Sequence, residues 1–280
     1  MFAPLNEHRF SFVPAYLFPL AIAVFPPLLF AATYPLTYAE VPKTDNKVIF
    51  LSSTIDYPPM SCIGSLGLMF GSILLLICSF LIFMRNKKLV SSGDMRSRKL
   101  NKVALALAVI SAVGCSGVAA FQQHLYIIVH LVFAGMFFIF GVAYINVVAH
   151  MERWRDEHTL SCKIRRVIAI MSIIVGASGE RALRFVSLAL LLIIHAGIAA
   201  VQVMNYKLGH EYKNLISQVG AGVEIFVFLS LLAFFSTFVF EFKTISLDFQ
   251  ITRRRESSSG QSDTAANSAS SSHSDFSNRR

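Results

Sequence analysis

LYIIVHLVFAGMFFIFGVAYINVVA, residues 125–149, runs for 25 residues without an Asp, Glu, Lys or Arg. A helix of that length reaches about 37 Å, more than the roughly 30 Å hydrocarbon core of a bilayer. The bilayer interior offers no water to pair an exposed amide, so a stretch of this kind is a membrane-spanning helix with its hydrogen bonds made internally. Working outward, Gln122, Gln123 and His124 are the only residues between it and a second apolar run, Val103–Phe121, so the two form an antiparallel hairpin. Four further runs complete the set: Phe12–Tyr34, Cys62–Met84, Phe185–Met204 and Val219–Phe242. All six are between 19 and 25 residues long.

The segments between these runs sort by charge. With the amino terminus placed in the cytosol, 21 of the 25 Lys and Arg fall on the cytosolic side, and only Lys43, Lys47, Lys207 and Lys213 lie outside. Basic residues in short loops set orientation, so the expected architecture is an all-α membrane protein, a six-helix transmembrane bundle with both ends cytosolic. Composition agrees, at 55% hydrophobic and 15% charged. The net charge of +9 is dispersed through loops beside an anionic leaflet, which makes membrane lipids the expected partner and nucleic acid not one. A cleaved signal peptide ending near Thr37-Tyr38-Ala39 is the competing reading of the first run, whose apolar stretch is long for that role. Pro14, Pro19, Pro26 and Pro27 should bend or interrupt this helix, since each lacks an amide donor.

Val167–Ser178 is apolar but too short to cross, and charges flank it, which suggests an interfacial helix. Residues 1–250 are expected to form the membrane domain. Residues 251–280 are expected to be a disordered cytosolic tail, because ten serines in the last 25 residues leave too little apolar surface to fold. Arg254-Arg255-Glu256-Ser257 resembles a basophilic kinase site at Ser257, and a plain solvated tail is the blander reading. The four cysteines are too scattered for a disulfide framework. Cys78 and Cys115 read as packing residues, and Cys162 falls in a cytosolic loop open to acylation. No Asn-x-Ser/Thr acceptor occurs. No metal-ligand cluster, cofactor motif or catalytic constellation stands out.

Ala104, Ala108, Ala112, Ser116 and Ala120 recur every fourth residue and form a small-residue stripe, and Gly67 and Gly71 give the second run a similar notch. Small residues let helices approach closely in lipid, either within the chain or between two copies. The ionisable groups expected inside the membrane are His130, His195 and Glu224. His130 and Glu224 each lie about 8 Å from the outer end of their runs, close enough to meet if the runs adjoin, while His195 sits near the midplane. The bland reading makes Glu224 a protonated acid bonded to a neighbouring helix and His130 a satisfied packing residue.

At these residues the chain resembles a known family. The run Phe50-Leu-Ser-Ser-Thr-Ile-Asp-Tyr-Pro-Pro-Met-Ser61 with its diproline Pro58-Pro59, the stretch from Leu100-Asn-Lys to Val118-Ala-Ala-Phe-Gln122, His130, Glu224 and Phe242-Lys-Thr-Ile-Ser-Leu247 are similar to the damage-regulated autophagy modulator (DRAM) family. That family lies within a broader group of FGF-receptor-activating-protein homologues and relatives of GPI-lipid-remodelling proteins. The chain departs from it where Ser53 and Met60 replace acidic residues, and at Val167–Ser178. The resemblance implies a six-span protein of lysosomal, endosomal or plasma membranes that modulates autophagy without a catalytic site. The expected partners are lipids, from the charge pattern, and other membrane proteins or a second copy, from the small-residue faces. GPI-lipid remodelling and small-molecule transport are the alternatives.

Overall fold

Long apolar runs whose amides must be paired internally fold as helices, and a computed structural model describes residues 9–40, 48–90, 93–154, 159–174, 210–243 and 245–250 of the chain. The elements are β1 (Arg9–Pro14), α1 (Leu17–Glu40), a 3-10 turn (Ser52–Ile55), α2 (Met60–Leu89), α3 (Met95–Ala120), α4 (Ile127–Trp154), α5 (Leu160–Ile174), α6 (His210–Ser236), α7 (Phe238–Phe242) and β2 (Ser246–Gln250). Five helical stretches are long and apolar enough to cross a bilayer: Leu17–Ala39, Met60–Leu89, Met95–Ala120, Ile127–Arg153 and Ser217–Phe242. They carry five of the six predicted runs. The sixth, Phe185–Met204, lies outside the described residues, as do His195 and the tail with Ser257. Large apolar side chains such as Leu66 (75% exposed) and Ile128 (67% exposed) stand on the outer surface. Toward water such a surface would drive association, whereas toward lipid it is matched by its solvent.

Helices α1 to α4 alternate in direction between two ends of one compact unit, Phe12–Leu247, and α6 runs the same way as α4. The end formed by residues 48–59 and the α3–α4 turn is called the loop end here, and the opposite one the basic end. The unit's own chain ends meet at the basic end, where the Ala15 amide donates to the Ile245 carbonyl at 3.2 Å. β1 and β2 form a two-stranded sheet.

The prolines do not interrupt α1, which is one continuous helix with Pro26, Pro27 and Pro35 inside it. Packing holds it together: Leu29 fills the space above Gly67, and Phe25 meets Phe70 edge-on at 5.0 Å. Between α2 and α3, Ser65 donates to the Ala119 carbonyl at 2.6 Å, Ser116 to Ser72 at 2.8 Å and Asn101 to the Phe83 carbonyl at 3.0 Å. These bonds link antiparallel helices without a hydrophobic driving force between them. Asp94 caps α3, accepting the Ser97 amide at 3.0 Å.

Hydrogen bonding from Ser97 holds the Asp94 carboxyl below its ordinary pKa. A lowered folded pKa contributes stability above the unfolded value and loses it as pH falls through the folded one. The protection of amides in the first turn of α3, taken relative to their intrinsic exchange rates, should therefore fall at acid pH. Asp94→Ala should lower that protection across the pH range, while Asp94→Asn, which still accepts the bond, should remove its pH dependence and keep the cap.

Candidate functional site

The loop end is built around a short polar run, Leu51-Ser-Ser-Thr-Ile-Asp56, that folds back over the helices. Its turn leaves the amides of Leu51 and Ser52 without partners of their own, and Glu224 on α6 supplies them. Oε2 accepts from Leu51 at 2.8 Å and Oε1 from Ser52 at 3.4 Å. From α1, Thr37 donates to the Thr54 carbonyl at 2.9 Å, and the Thr33 and Thr54 hydroxyls lie 3.2 Å apart. The α3–α4 turn adds Gln123, whose Oε1 accepts from Ser52 and Ser53 at 3.5 and 3.4 Å. It also adds His124, whose amide donates to Asp56 at 3.1 Å while its ring stacks on Tyr57 at 4.3 Å. Ile55 lies directly on Gly64, where a Cβ would overlap it. The cis-linked Pro58-Pro59 leads into the first turn of α2.

His130 is buried on α4 and faces the Phe121 carbonyl with Nδ1 at 2.7 Å. A carbonyl only accepts, so in the neutral ring Nδ1 carries the hydrogen and the other nitrogen keeps its lone pair. His130 and Glu224 are not bonded to each other. They line one cavity, of about 50 Å³, with Phe50, Gln123, Ala134 and Phe138 among its other walls. The sequence places Glu224 against a neighbouring helix; the structure gives it the loop instead. Replacing Glu224 with Ala removes the acceptor of two hydrogen bonds, so amide exchange at Leu51 and Ser52 should rise about tenfold. Glu224→Gln, which keeps one oxygen, should fall between.

The basic end holds a second set of polar groups that sequence reasoning missed. Arg165 on α5 and Glu152 on α4 are both fully buried. Arg165 Nε and Nη2 lie 2.8 Å from the two Glu152 oxygens, and Nη2 lies 2.6 Å from Glu241 on α7. Arg85 on α2 completes the group, at 2.9 Å from Glu241 and 3.6 Å from Glu152. Phe238 packs against both guanidinium groups, at 4.1 Å from Arg165 and 5.9 Å from Arg85. A break at Thr237, whose hydroxyl accepts from Arg165 at 3.1 Å, separates α6 from α7. Two positive and two negative side chains therefore balance inside the end of the bundle. The charge count treats Arg85 and Arg165 as loop cations at the lipid surface. It also passes over Glu241, next to last in the predicted run Val219–Phe242.

Of the packing residues, Ala104, Ala108 and Ala112 are buried within the chain, Ser116 bonds Ser72 and Ala120 is exposed. Gly71 has open space where a Cβ would stand. The closest approach of α3 to α4 uses Gly114 and Gly117, where a Cβ would overlap the backbone around Phe137 and the Phe133 ring. Their i, i+3 spacing was the available signal. Cys162 is not in a loop but in the first turn of α5, fully buried and 3.1 Å from Arg165, so it is shielded from acylation in this arrangement. The first eight residues of Val167–Ser178 belong to α5, which begins earlier, at Leu160. It buries Cys162, Arg165, Ala169 and Ser172 on one face and exposes Ile164, Val167 and Ile170 on the other.

Among the described residues no group of His, Cys, Asp and Glu is placed to hold a metal ion. A family profile described as Frag1/DRAM/Sfk1/Cwh43P N-terminal domain matches residues 14–245. The chain belongs to this family. It is thus an integral membrane protein, and the match takes in every residue of the Glu224 cavity and of the four-charge cluster. Neither a curated protein nor a solved structure matches this Frag1/DRAM-family chain significantly.

Proposed function

We propose that this Frag1/DRAM-family protein is a six-span, non-catalytic modulator of autophagy or endolysosomal membrane trafficking, with both ends in the cytosol and lipids or membrane proteins as partners. The observation that carries the non-catalytic part is the use made of Glu224. Its carboxylate holds the chain's own Leu51 and Ser52 amides, and His130 is fixed by the Phe121 carbonyl, so the two best candidates for chemistry serve to fasten the loop end. The adjoining cavity, at about 50 Å³, has room for a few waters or one small polar group.

Orientation follows from charge. Exposed Lys87, Lys88, Arg96, Arg98, Lys99, Arg153 and Lys163 surround the basic end, which supports a cytosolic position for it. α1 starts and α7 finishes there. α4 finishes at the basic end and α6 starts at the loop end, and an even total of six crossings accounts for both facts, with Phe185–Met204 as the expected sixth run.

Loss of the gene should change the turnover of autophagic cargo in nutrient-deprived cells, with the wild-type protein restoring it. The same cells should keep the surface level and lipid composition of GPI-anchored proteins. Normal cargo turnover combined with altered anchor lipids would replace this reading with lipid remodelling. Solute uptake by the purified protein in liposomes would replace it with transport.

A further inference from the structure

Two groups lining the cavity, Glu224 and His130, keep acceptor capacity that their present partners do not use, beside one side-chain donor, the Gln123 amide nitrogen. A carboxylate offers about four acceptor positions. Glu224 uses two of them, on Leu51 and Ser52. His130 keeps one ring lone pair after Nδ1 is committed to Phe121. The Gln123 oxygen is already taken by two serine hydroxyls. The rings of Phe50 and Phe138 supply aromatic walls. A carboxyl group, a neutral acceptor and two aromatic rings together suit a cation that donates hydrogen bonds, since an ammonium ion beside the carboxyl favours its ionised form and also binds ring faces.

Size and position narrow the class. About 50 Å³ holds roughly three or four water-sized atoms, which admits an aminoethyl group and is tight for a trimethylammonium. Glu224 is the eighth residue of the span that begins at Ser217, about 10 Å along it, and the cavity lies directly under the loop. That is the boundary between headgroups and acyl chains, with α4 and α6 as its two helical walls.

We propose that this cavity is a binding site for a primary ammonium group, supplied by the ethanolamine headgroup of phosphatidylethanolamine in the leaflet at the loop end. Glu224 balances the charge and accepts one hydrogen bond, His130 accepts a second, and Phe50 and Phe138 enclose the methylene carbons. The proposal does not depend on the autophagy reading: it concerns what the loop end binds, whatever process the protein serves.

The test uses the full-length protein, purified in detergent, offered equal amounts of phosphatidylethanolamine and phosphatidylcholine of the same acyl chains, with retained lipid read by native mass spectrometry. The wild type should retain the ethanolamine lipid about tenfold over the choline lipid, the preference expected from one hydrogen bond to a charged group. Glu224→Gln should abolish the preference. Because Glu224 also fastens the loop, Ala134→Leu provides a second arm: it fills the cavity from α4, leaves every polar group in place, and should abolish the preference while the protein elutes as a single folded species. Soluble ethanolamine in excess separates the two sources of the ammonium. If it displaces the lipid, the site reads the ammonium alone; if it does not, the lipid anchor contributes, and both results support the site. Equal retention of the two lipids by the wild type, or wild-type preference in folded Ala134→Leu, would overturn it.

Discussion

Replacing Arg165 with Met should destabilise the protein by about 3–5 kcal/mol, the usual loss when one member of a buried ion pair is removed and the other stays. Methionine approximates the length and apolar stem of arginine, so packing against Phe238 is largely kept and the loss reports on charge. Glu152, fully buried, would be left with Arg85 at 3.6 Å as its remaining cationic neighbour among the described residues, and Glu241 would face it across the vacated space. In detergent, the midpoint of thermal unfolding should fall, and α5, which Arg165 ties to α4 and α7, should become open to protease. Buried Cys162 should then react with a maleimide. Adding Glu152→Leu to Arg165→Met should recover much of the loss, because buried pairs are often replaceable by apolar groups when both charges go. A single mutant as stable as wild type, with Cys162 still protected, would mean that the cluster is wet and contributes little.

The second large effect belongs to Gly114. Substituting Ala there should cost about 1–3 kcal/mol, and Leu more, because the new Cβ would lie about 2.8 Å from the Phe133 carbonyl oxygen and overlap the Phe137 amide nitrogen. Backbone atoms have no rotamer to change, so α3 and α4 would have to separate, stretching the bond from Ser111 to the Phe137 carbonyl, now 2.8 Å. Gly71→Ala is the control. Its Cβ would meet nothing within 4 Å, and alanine favours helix over glycine, so it should be neutral or stabilising by up to about 1 kcal/mol. The measurement is unfolding of both variants under identical detergent conditions. Equal effects at Gly114 and Gly71 would contradict the close α3–α4 contact.

These two sites show which features could be read from the sequence. Five of the membrane spans were legible because a bilayer imposes a length and an apolar composition that each segment satisfies by itself. Residues 125–149 need no partner to be recognised as a span. The same holds for the α3–α4 hairpin, whose three-residue link allows one arrangement. Gly67 and the alanines at 104, 108 and 112 were visible as small residues at helical spacing, but which face meets which helix was not. The stripe drew attention away from Gly114 and Gly117, where the backbones touch.

The four-charge cluster was illegible for a related reason. Arg85, Glu152, Arg165 and Glu241 come from four helices, and each lies at the end of an apolar run where a charged residue is ordinary. What distinguishes them is burial, a property of the assembled bundle. Glu224 was singled out as costly in lipid, yet its partners, two amides 172 and 173 residues away, follow from the folding back of residues 51–56 and from nothing near Glu224 itself.

The most direct test of the account is on which side of the membrane its two ends lie. With Cys62, the exposed cysteine, changed to Ser, a single new thiol is placed either at Leu125→Cys in the α3–α4 turn or at Gly93→Cys in the α2–α3 turn, where a side chain meets open space. In sealed cells or organelles a membrane-impermeant maleimide should reach residue 125 only from the exterior or lumen and residue 93 only from the cytosol. Labelling of residue 93 from the exterior, or of both residues from one side, would contradict it.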